Sequence, residues 1–254
     1  MKKNILPILV VLAGLAITLH WLNITPSGIY QKFFAVGSTV CHQIPSHSFH
    51  QGETQFALCA RCAGLYLGSI IGLGYFFTQG KKRGLPSRGY LILLIMLFLV
   101  WAGDGLNSFI SDFINRPFLY ETTNLTRLAT GFGMGLVMAT ALMTLFNVSV
   151  WKDGQKDALL THPLQIIGYF TASTAMGLIT LNSGHILFTV LSYISIGTVI
   201  MIVTILYTVF WVIMTRRETQ FTNIRSLGIF LAAGFGTAML QFTLLFLLRN
   251  WLLG

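Results

Sequence analysis

The sequence predicts an all-α protein that crosses a membrane about seven times with its N-terminus inside the cell. The chain is 54% hydrophobic and only 9% charged, whereas a soluble domain carries about 25% charged residues. Its mean hydropathy is +0.74. Its 254 residues leave room for roughly six to eight helices of the ~20 residues that span a bilayer. We therefore expect a single transmembrane domain over residues 1–254.

The strong positive charge has two interpretations. The net charge of +9 would indicate nucleic-acid binding in a soluble protein. In a membrane protein, the same excess lies in basic loops that set the topology and contact anionic lipid. We therefore expect membrane lipids as partners and no nucleic acid.

The first apolar run, residues 5–22, follows Lys2 and Lys3 and predicts the first span. A basic start and a short apolar core also fit a cleaved signal peptide. No small-x-small cleavage pattern follows this run, so we expect a retained helix. Residues 28–40 are amphipathic at best and are expected to lie along the membrane interface.

Six further apolar runs predict the remaining spans. Pro163 falls in the first turn of one of them, where its missing N–H costs little. The connections are short, so neighbouring spans are expected to pack antiparallel. The six predicted spans are residues 57–78, 89–110, 123–147, 163–181, 187–214 and 226–249.

Lysine and arginine positions predict the side of each loop, because cytoplasmic loops carry the basic excess. With the N-terminus inside, eleven of the 16 basic residues fall in cytoplasmic segments and five fall outside. All three cysteines and every histidine except His162 then lie at or near the outer face. We expect a cell-membrane protein with its cysteine and histidine site on the extracytoplasmic side.

Residues 41–64 hold all three cysteines and three of the six histidines. Cys59 and Cys62 share one helix face at the start of the second span, and Tyr66 continues that face. Three thiols and one imidazole are a common composition for a closed structural zinc site. The sequence therefore predicts a zinc-type site whose ligands are Cys41, His42, Cys59 and Cys62.

Other interpretations of this cluster stay open. His47 or His50 can replace His42, because adjacent residues chelate one ion only from an extended or turned backbone. A thiolate near a helix N-terminus is typical of redox C-x-x-C motifs, and an extracytoplasmic location permits disulfides. A membrane thiol oxidoreductase generally needs a second thiol pair, however, and only Cys41 remains. The cysteines can also be an inert structural staple or simply small buried residues.

Asp104 lies in the outer half of the third span, between Gly103 and Gly105. An unpaired carboxylate in hydrocarbon is costly, so such a residue is a functional-site candidate and should have a partner. We expect Arg127, about one turn into the fourth span, to be this partner, and Arg61 shares the same depth. The alternative is a purely structural ion pair that fixes helix register.

Polar residues surround the start of the fourth span. Thr122 or Thr123 is expected to cap that helix. Glu121, Asn124 and Arg127 recur at intervals of three, which indicates substrate contact as an alternative to capping alone. The predicted substrate-binding residues are Asn107, Glu121 and Asn124.

Glycines at positions 64, 68 and 72 of the second span recur at intervals of four, as do Gly131 and Gly135 of the fourth. This spacing permits close backbone contact between helices. Packing of these two spans would bring Cys59 and Cys62 towards Arg127.

These motifs resemble a family of multi-pass bacterial and archaeal membrane proteins catalogued as a domain of unknown function. The shared pattern is C-H-Q-x-P-x-x-S-F, C-x-R-C-x-G-x-Y-x-G, an intramembrane D-G, and T-N-x-x-R-x-x-T-G. The resemblance covers about residues 41–135 and implies a shared membrane site without an established activity. Two departures are His47, where the family often carries arginine, and a longer stretch from Asn107 to Tyr120.

The favoured hypothesis is that a zinc-type ion organises a polar pocket. The protein would then be a binder or a metal-dependent enzyme that acts on an anionic amphiphile such as a lipid head group. Asp104 is the candidate base, and Arg61 or Arg127 is the candidate anion clamp. The predicted catalytic residues are Asp104, Arg61, Arg127 and Tyr66. The alternatives are an extracytoplasmic thiol–disulfide oxidoreductase, with Cys59 attacking and Cys62 resolving, and a small-solute transporter. The scarcity of polar residues in the inner half weakens the transporter hypothesis.

Overall fold

Seven long helices form the body of the protein in the computed structural model, which describes residues 5–253. All seven are long and apolar enough to cross a membrane, so the predicted all-α architecture with seven spans is confirmed. Each helix overlaps the span predicted for it, and the inside placement of the N-terminus stays a prediction. Within the described residues the helices are α1 (Ile5–Ile24), α2 (Ile29–Ser38), α3 (Ala60–Thr78), α4 (Arg88–Ile114), α5 (Asn124–Val150), α6 (Pro163–Asn182), α7 (His185–Met214) and α8 (Gly228–Leu253).

The short helix α2 occupies the segment that was expected to be amphipathic. Its C-terminal turn is buried through Ala35, Val36 and Gly37. A Cβ atom at Gly37 would overlap the carbonyl oxygen of Ala57, so the backbones of α2 and of the segment before α3 are in direct contact. This contact places the end of α2 beside the start of the second span.

A β-hairpin that the sequence did not predict lies between α2 and α3. Strands β1 (Ser48–Gln51) and β2 (Thr54–Cys59) pair antiparallel around Gly52, which has a φ of 58°. The prediction that the second span begins at residue 57 is therefore wrong, since α3 begins at Ala60. Apolar runs of this length do not distinguish a buried strand from the start of a helix.

The hairpin is held inside the bundle by α7. Phe56, Ala57 and Leu58 are fully buried. The Ala57 N–H donates to the Ser192 hydroxyl at 2.9 Å, and the ring of Phe56 packs edge-on against that of Phe188. Residues 54–59 thus form a rigid base from which α3 starts.

A second two-stranded sheet lies at the opposite end of the bundle. It pairs β3 (Lys82–Gly84) in parallel with β4 (Gln155–Ala158). The sheet joins the loop after α3 to the loop after α5, and Asn147 of α5 donates to the Lys82 carbonyl at 2.7 Å.

The parallel pair α3 and α5 forms the centre of the fold, and its contact runs through glycines as predicted. A Cβ atom at Gly64 would overlap the Leu128 carbonyl oxygen, and one at Gly131 would overlap the Arg61 carbonyl oxygen. A Cβ atom at Gly135 would lie 2.8 Å from the backbone of α3. The absence of side chains at these positions lets two backbones touch.

Gly64→Ala is expected to destabilise the protein by about 1–3 kcal/mol, because the added methyl group must push the α3 and α5 backbones apart. The measurement is thermal or denaturant-induced unfolding of the purified protein in detergent. Gly74→Ala is the matched control on the same helix, since nothing lies within 4 Å of a Cβ atom there. Equal stability of the two variants would contradict the close contact.

Candidate metal centre and adjoining polar pocket

The three cysteines converge at one end of the bundle from three separate points of the chain. Cys41 lies in the loop after α2, Cys59 ends β2, and Cys62 lies in the first turn of α3. Their sulfur atoms all lie within 4.8 Å of one another, and Cys41 and Cys59 are buried. These three side chains could hold a metal ion.

Gln43 fixes the loop that carries Cys41. Its φ of 54° is left-handed, which costs a non-glycine residue roughly 1–2 kcal/mol. Its side-chain nitrogen donates to the carbonyls of Phe34 and Ala57, both at 2.8 Å. Its own carbonyl accepts a hydrogen bond from Gln55 at 2.9 Å. Sequence reasoning did not single out Gln43, although it follows the Cys-His pair directly.

Arg249 of α8 is a second support that sequence reasoning missed. Its guanidinium donates to the carbonyl oxygens of Ser38 at 2.6 Å and Cys41 at 3.0 Å. The last turn of α2 and the Cys41 loop are thereby tied to the last spanning helix. No local sequence signal connects position 249 with position 41, because the contact arises only from the packing of distant segments.

Hydrogen bonds shift the pKa values of the thiols in the cluster. The backbone N–H groups of Gln43 and Cys59 lie 3.5 Å and 3.2 Å from the Cys41 sulfur. Hydrogen bonds from the Cys41 and Cys62 thiols hold the pKa of Cys59 far below its usual range. Hydrogen bonding to Cys59 raises the pKa of Cys41 to about 11. The cluster thus favours a thiolate at Cys59, and the thiolate is the form that binds metals and acts as a nucleophile.

His42 lies next to the cluster but does not complete it in the observed geometry. Its Nδ1 accepts the Ile44 N–H at 3.0 Å, so a neutral ring carries its proton on Nε2. Among the described residues, no histidine nitrogen lies within 4.8 Å of all three sulfurs. The structure therefore brings together three of the four predicted ligands. Tyr66 packs against the buried cluster that includes Cys41 and Cys59.

Asp104 pairs with Arg61, so the prediction that Arg127 is its partner is wrong. The Arg61 guanidinium donates to Asp104 Oδ2 from Nε at 3.0 Å and from its terminal nitrogen at 2.5 Å. The same terminal nitrogen donates to the Asp104 backbone carbonyl at 3.1 Å. The Asp104 side chain is 1% exposed. Both arginines contact α4, Arg61 at Asp104 and Arg127 at Ser108, so the packing of the three helices decides which arginine meets the carboxylate.

Two hydroxyl groups also contact the Asp104 carboxylate. The Tyr120 hydroxyl donates to Oδ1 at 2.6 Å, and the Thr130 hydroxyl lies 3.3 Å from Oδ2. Partial desolvation and the bond to Asp104 raise the pKa of Tyr120 to about 12, so this phenol stays a donor. The Thr130 hydroxyl has one proton and also lies 3.0 Å from the Thr126 carbonyl, so three side-chain hydrogen bonds are committed to a carboxylate with about four acceptor sites. Such a carboxylate is suited to joining helices. This argues against the predicted role of Asp104 as a general base.

Arg127 has no carboxylate partner within 4.0 Å among the described residues. It is 6% exposed. Its terminal nitrogens donate to Asn124 Oδ1 and Ser108 Oγ, both at 2.9 Å. Its Nε has no hydrogen-bond partner in the described part of the chain. The guanidinium lines a pocket of about 210 Å³ formed with Ser108, Ser111, Asp112, Pro117, Glu121 and Thr122.

The three predicted substrate-binding residues have different surroundings. Asn107 is buried. It donates to the Tyr120 carbonyl and accepts from the Leu119 N–H, both at 2.9 Å, so its side chain holds the loop between α4 and α5. Asn124 joins the start of α5 to the cysteine loop by donating to the carbonyls of Ser46 and Ser48. Glu121 is exposed and lines the pocket. Thr123 caps α5 through its hydroxyl, as one of the two predicted caps.

His47 links the cysteine loop to the pocket. The sequence left His47 open as an alternative metal ligand, and the structure buries it with Nε2 3.4 Å from Asp112. Burial and the nearby Arg127 charge lower the pKa of His47, and Asp112 opposes this shift. The His42 and His47 rings lie 5.5 Å apart in an edge-on arrangement. The pocket and the cysteine cluster therefore share one wall.

Comparison with known proteins places this region in a recognised family. Residues 41–141 match the family described as a predicted membrane protein (DUF2085). An uncharacterised protein of Methanocaldococcus jannaschii is 31% identical over 121 residues, which cover 47% of this chain and 71% of that protein. One of Methanothermobacter thermautotrophicus is 28% identical over 106 residues, which cover 41% of this chain and 86% of that protein. No solved structure matches the chain.

The matched range includes the cysteine cluster, the Arg61–Asp104 pair and the Arg127 pocket, so the similarity coincides with the site. The first of these relatives is similar over more than two thirds of its own length. The chain therefore belongs to the family of predicted membrane proteins known as DUF2085.

Proposed function

We propose that this protein is a membrane metalloprotein in which Cys41, Cys59 and Cys62 hold a zinc-type ion at the extracytoplasmic face. The convergence of three sulfurs within 4.8 Å carries this proposal. Sulfurs around a tetrahedral zinc ion with bonds of ~2.3 Å lie about 3.8 Å apart, which this cluster can accommodate. Three thiolates in a buried site repel one another without a cation.

The second support is the environment of Cys41. Two backbone N–H groups point at its sulfur, and such donors stabilise negative charge on a ligating thiolate. A fourth ligand is required for a tetrahedral ion. We assign this position to His42, through Nε2 once its ring proton moves to Nδ1 and the Nδ1 bond to the Ile44 N–H is released, or to a small external ligand.

The proposed ion has an organising role rather than a catalytic one. Sites with three thiolates are typical of structural zinc, whereas catalytic zinc generally keeps fewer thiolates and an open position. The ion would fix the loop of residues 41–48, whose Ser46 and Ser48 carbonyls receive the Asn124 side chain. Asn124 in turn accepts a hydrogen bond from Arg127. We propose that the organised pocket binds an anionic amphiphile with Arg127 as the anion contact.

Thiol–disulfide exchange is the second candidate, favoured by one specific observation. Cys59 is the residue immediately before α3, and its thiolate is stabilised. In this scheme Cys59 attacks a substrate disulfide, and Cys62 displaces the substrate from the mixed disulfide. The products are a Cys59–Cys62 disulfide and a reduced substrate dithiol. The close backbone contact of α3 and α5 gives the transporter hypothesis no support.

Elemental analysis combined with thiol counting distinguishes these functions. Protein purified without chelator is expected to contain one zinc ion per chain and three thiols that react only after denaturation. Reductant should not change the number of thiols. Metal-free protein with a Cys59–Cys62 disulfide, identified by peptide mapping, would reject the metalloprotein and support the oxidoreductase.

A further inference from the structure

The pocket beside Arg127 lies at the level where the two adjoining spans end. Ser108 and Asp112 lie in the last two turns of α4, and Arg127 lies in the first turn of α5. Spanning helices of 27 residues extend beyond the ~30 Å hydrocarbon core, so their ends reach the head-group region. The volume of the pocket, about 210 Å³, is smaller than the ~300–1,000 Å³ typical of pockets for drug-sized ligands. This size suits a small polar group.

The inner wall of the pocket favours an anion. Arg127 is buried, its two hydrogen-bond acceptors are neutral, and its Nε has no partner within residues 5–253. A buried charge is costly unless it is paired. Ser108 accepts from Arg127 through its oxygen, which leaves its own proton available to an anionic oxygen. A phosphate group can receive both donors at once.

The outer wall of the same pocket carries the opposite charge. Asp112 and Glu121 line it, and both are exposed. One oxygen of Asp112 faces His47, which leaves the other oxygen available. Two carboxylates at the rim disfavour a ligand that is only anionic. A pocket that combines a buried guanidinium with rim carboxylates matches a ligand with a phosphate at one end and a cation at the other.

We propose that this pocket binds the phosphoethanolamine-type head group of a zwitterionic phospholipid, with the phosphodiester at Arg127 and Ser108 and the ammonium between Asp112 and Glu121. A primary ammonium donates hydrogen bonds to carboxylates, whereas a trimethylated ammonium has none to donate. The pocket should therefore prefer ethanolamine over choline head groups. The inference rests on the amphiphile part of the proposed function and narrows it, because the anionic group at Arg127 is now the phosphodiester of a lipid that also carries an ammonium. The metal ion takes no direct part in this binding and only holds the loop that contacts Asn124.

Native mass spectrometry of the full chain in detergent tests this selectivity. The protein is titrated with short-chain phosphatidylethanolamine, phosphatidylcholine and phosphatidylglycerol of identical acyl length. Phosphatidylethanolamine is expected to bind about tenfold or more tightly than the other two. Phosphatidylcholine loses the ammonium hydrogen bonds, and phosphatidylglycerol brings only negative charge towards Asp112 and Glu121. Equal affinity for all three lipids would overturn the proposal.

Two variants assign the selectivity to the pocket. Arg127→Gln is expected to weaken phosphatidylethanolamine binding about tenfold or more. Arg116→Gln is the control: it removes the same charge from the neighbouring loop and should leave the affinity for this lipid unchanged. Glu121→Gln is expected to reduce the preference for ethanolamine over choline. Because Glu121 is exposed, this variant keeps the proposal testable if Arg127→Gln does not fold. Unchanged selectivity in Glu121→Gln would reject the ammonium site.

A soluble competitor separates a lipid ligand from a free one. Phosphoethanolamine in solution is expected to displace the lipid only at much higher concentration, because it lacks acyl chains. Displacement at equal concentration would identify a free phospho-amine and overturn the lipid assignment. Metal content is measured on the same samples, and Arg127→Gln and Glu121→Gln are expected to retain it. Metal-free protein with intact lipid selectivity would reject the proposed metal site alone.

Discussion

Cys41→Ser is expected to reduce the zinc content from one ion per chain to less than about a tenth of that value. Loss of one ligand removes a bond to an ion whose apparent binding free energy in small zinc modules is about 10–16 kcal/mol at neutral pH. The serine is close in size to cysteine, so the replacement changes the ligand chemistry more than the packing. The measurement is elemental analysis of protein purified under identical conditions.

Metal loss should loosen the cysteine loop locally while the spanning helices persist. Cys41 lies outside the helices, and the central α3–α5 contact does not involve it. Hydrogen exchange is therefore expected to accelerate in residues 41–59 and to stay slow in α5. Wild-type protein treated with a chelator should show the same pattern, and the chelator should have no further effect on Cys41→Ser.

The same experiment on the other two thiols tests the ligand set. Cys59→Ser and Cys62→Ser are each expected to match Cys41→Ser in metal content. A variant that retained a full zinc ion would exclude its cysteine from the site. If none of the three replacements changed metal content, the measured ion would be bound elsewhere and the proposed centre would be rejected.

The spans were predictable because the bilayer imposes a length that a sequence displays directly. About 20 consecutive apolar residues are needed to cross it, and α4 to α8 follow such runs. The contact between α3 and α5 was predictable for a similar reason, since glycines repeated at one-turn spacing mark a helix face without side chains. Both properties belong to single helices, so one sequence suffices to recognise them.

The hairpin and the ion pair depend on relations between segments, which the sequence does not display. Phe56 to Leu58 continue into α3 as one apolar run, and it is pairing with β1 and contact with α7 through Ser192 that make them part of a strand. Arg61 and Arg127 each lie near the start of a span, and only the packing of α3, α4 and α5 shows that Asp104 pairs with Arg61. The three cysteines were predicted as ligands because thiols bind metals. Gln43 and Arg249 hold the Cys41 loop, but their side-chain chemistry does not indicate this role.

The second large effect is expected at the Arg61–Asp104 pair. Asp104→Asn and Arg61→Gln should each destabilise the protein by about 3–5 kcal/mol, because removing one partner leaves the other charge buried. Asp104 is 1% exposed and Arg61 is 14% exposed at the side chain. Unfolding of purified protein in detergent gives the free-energy change for each variant. Asp153→Asn is the control, since it breaks the exposed pair with Lys81 and should leave stability unchanged.

The double variant Arg61→Leu, Asp104→Leu decides between a structural and a chemical role for this pair. Removing both charges leaves no uncompensated ion, so the double variant should be less destabilised than either single variant. If the pair is purely structural, the folded double variant should also keep its metal and its lipid selectivity, because neither site contains Arg61 or Asp104. Loss of lipid binding in a folded double variant would restore Asp104 as a functional carboxylate. Retention would assign this pair the role of joining α3, α4 and the Tyr120 loop around the site.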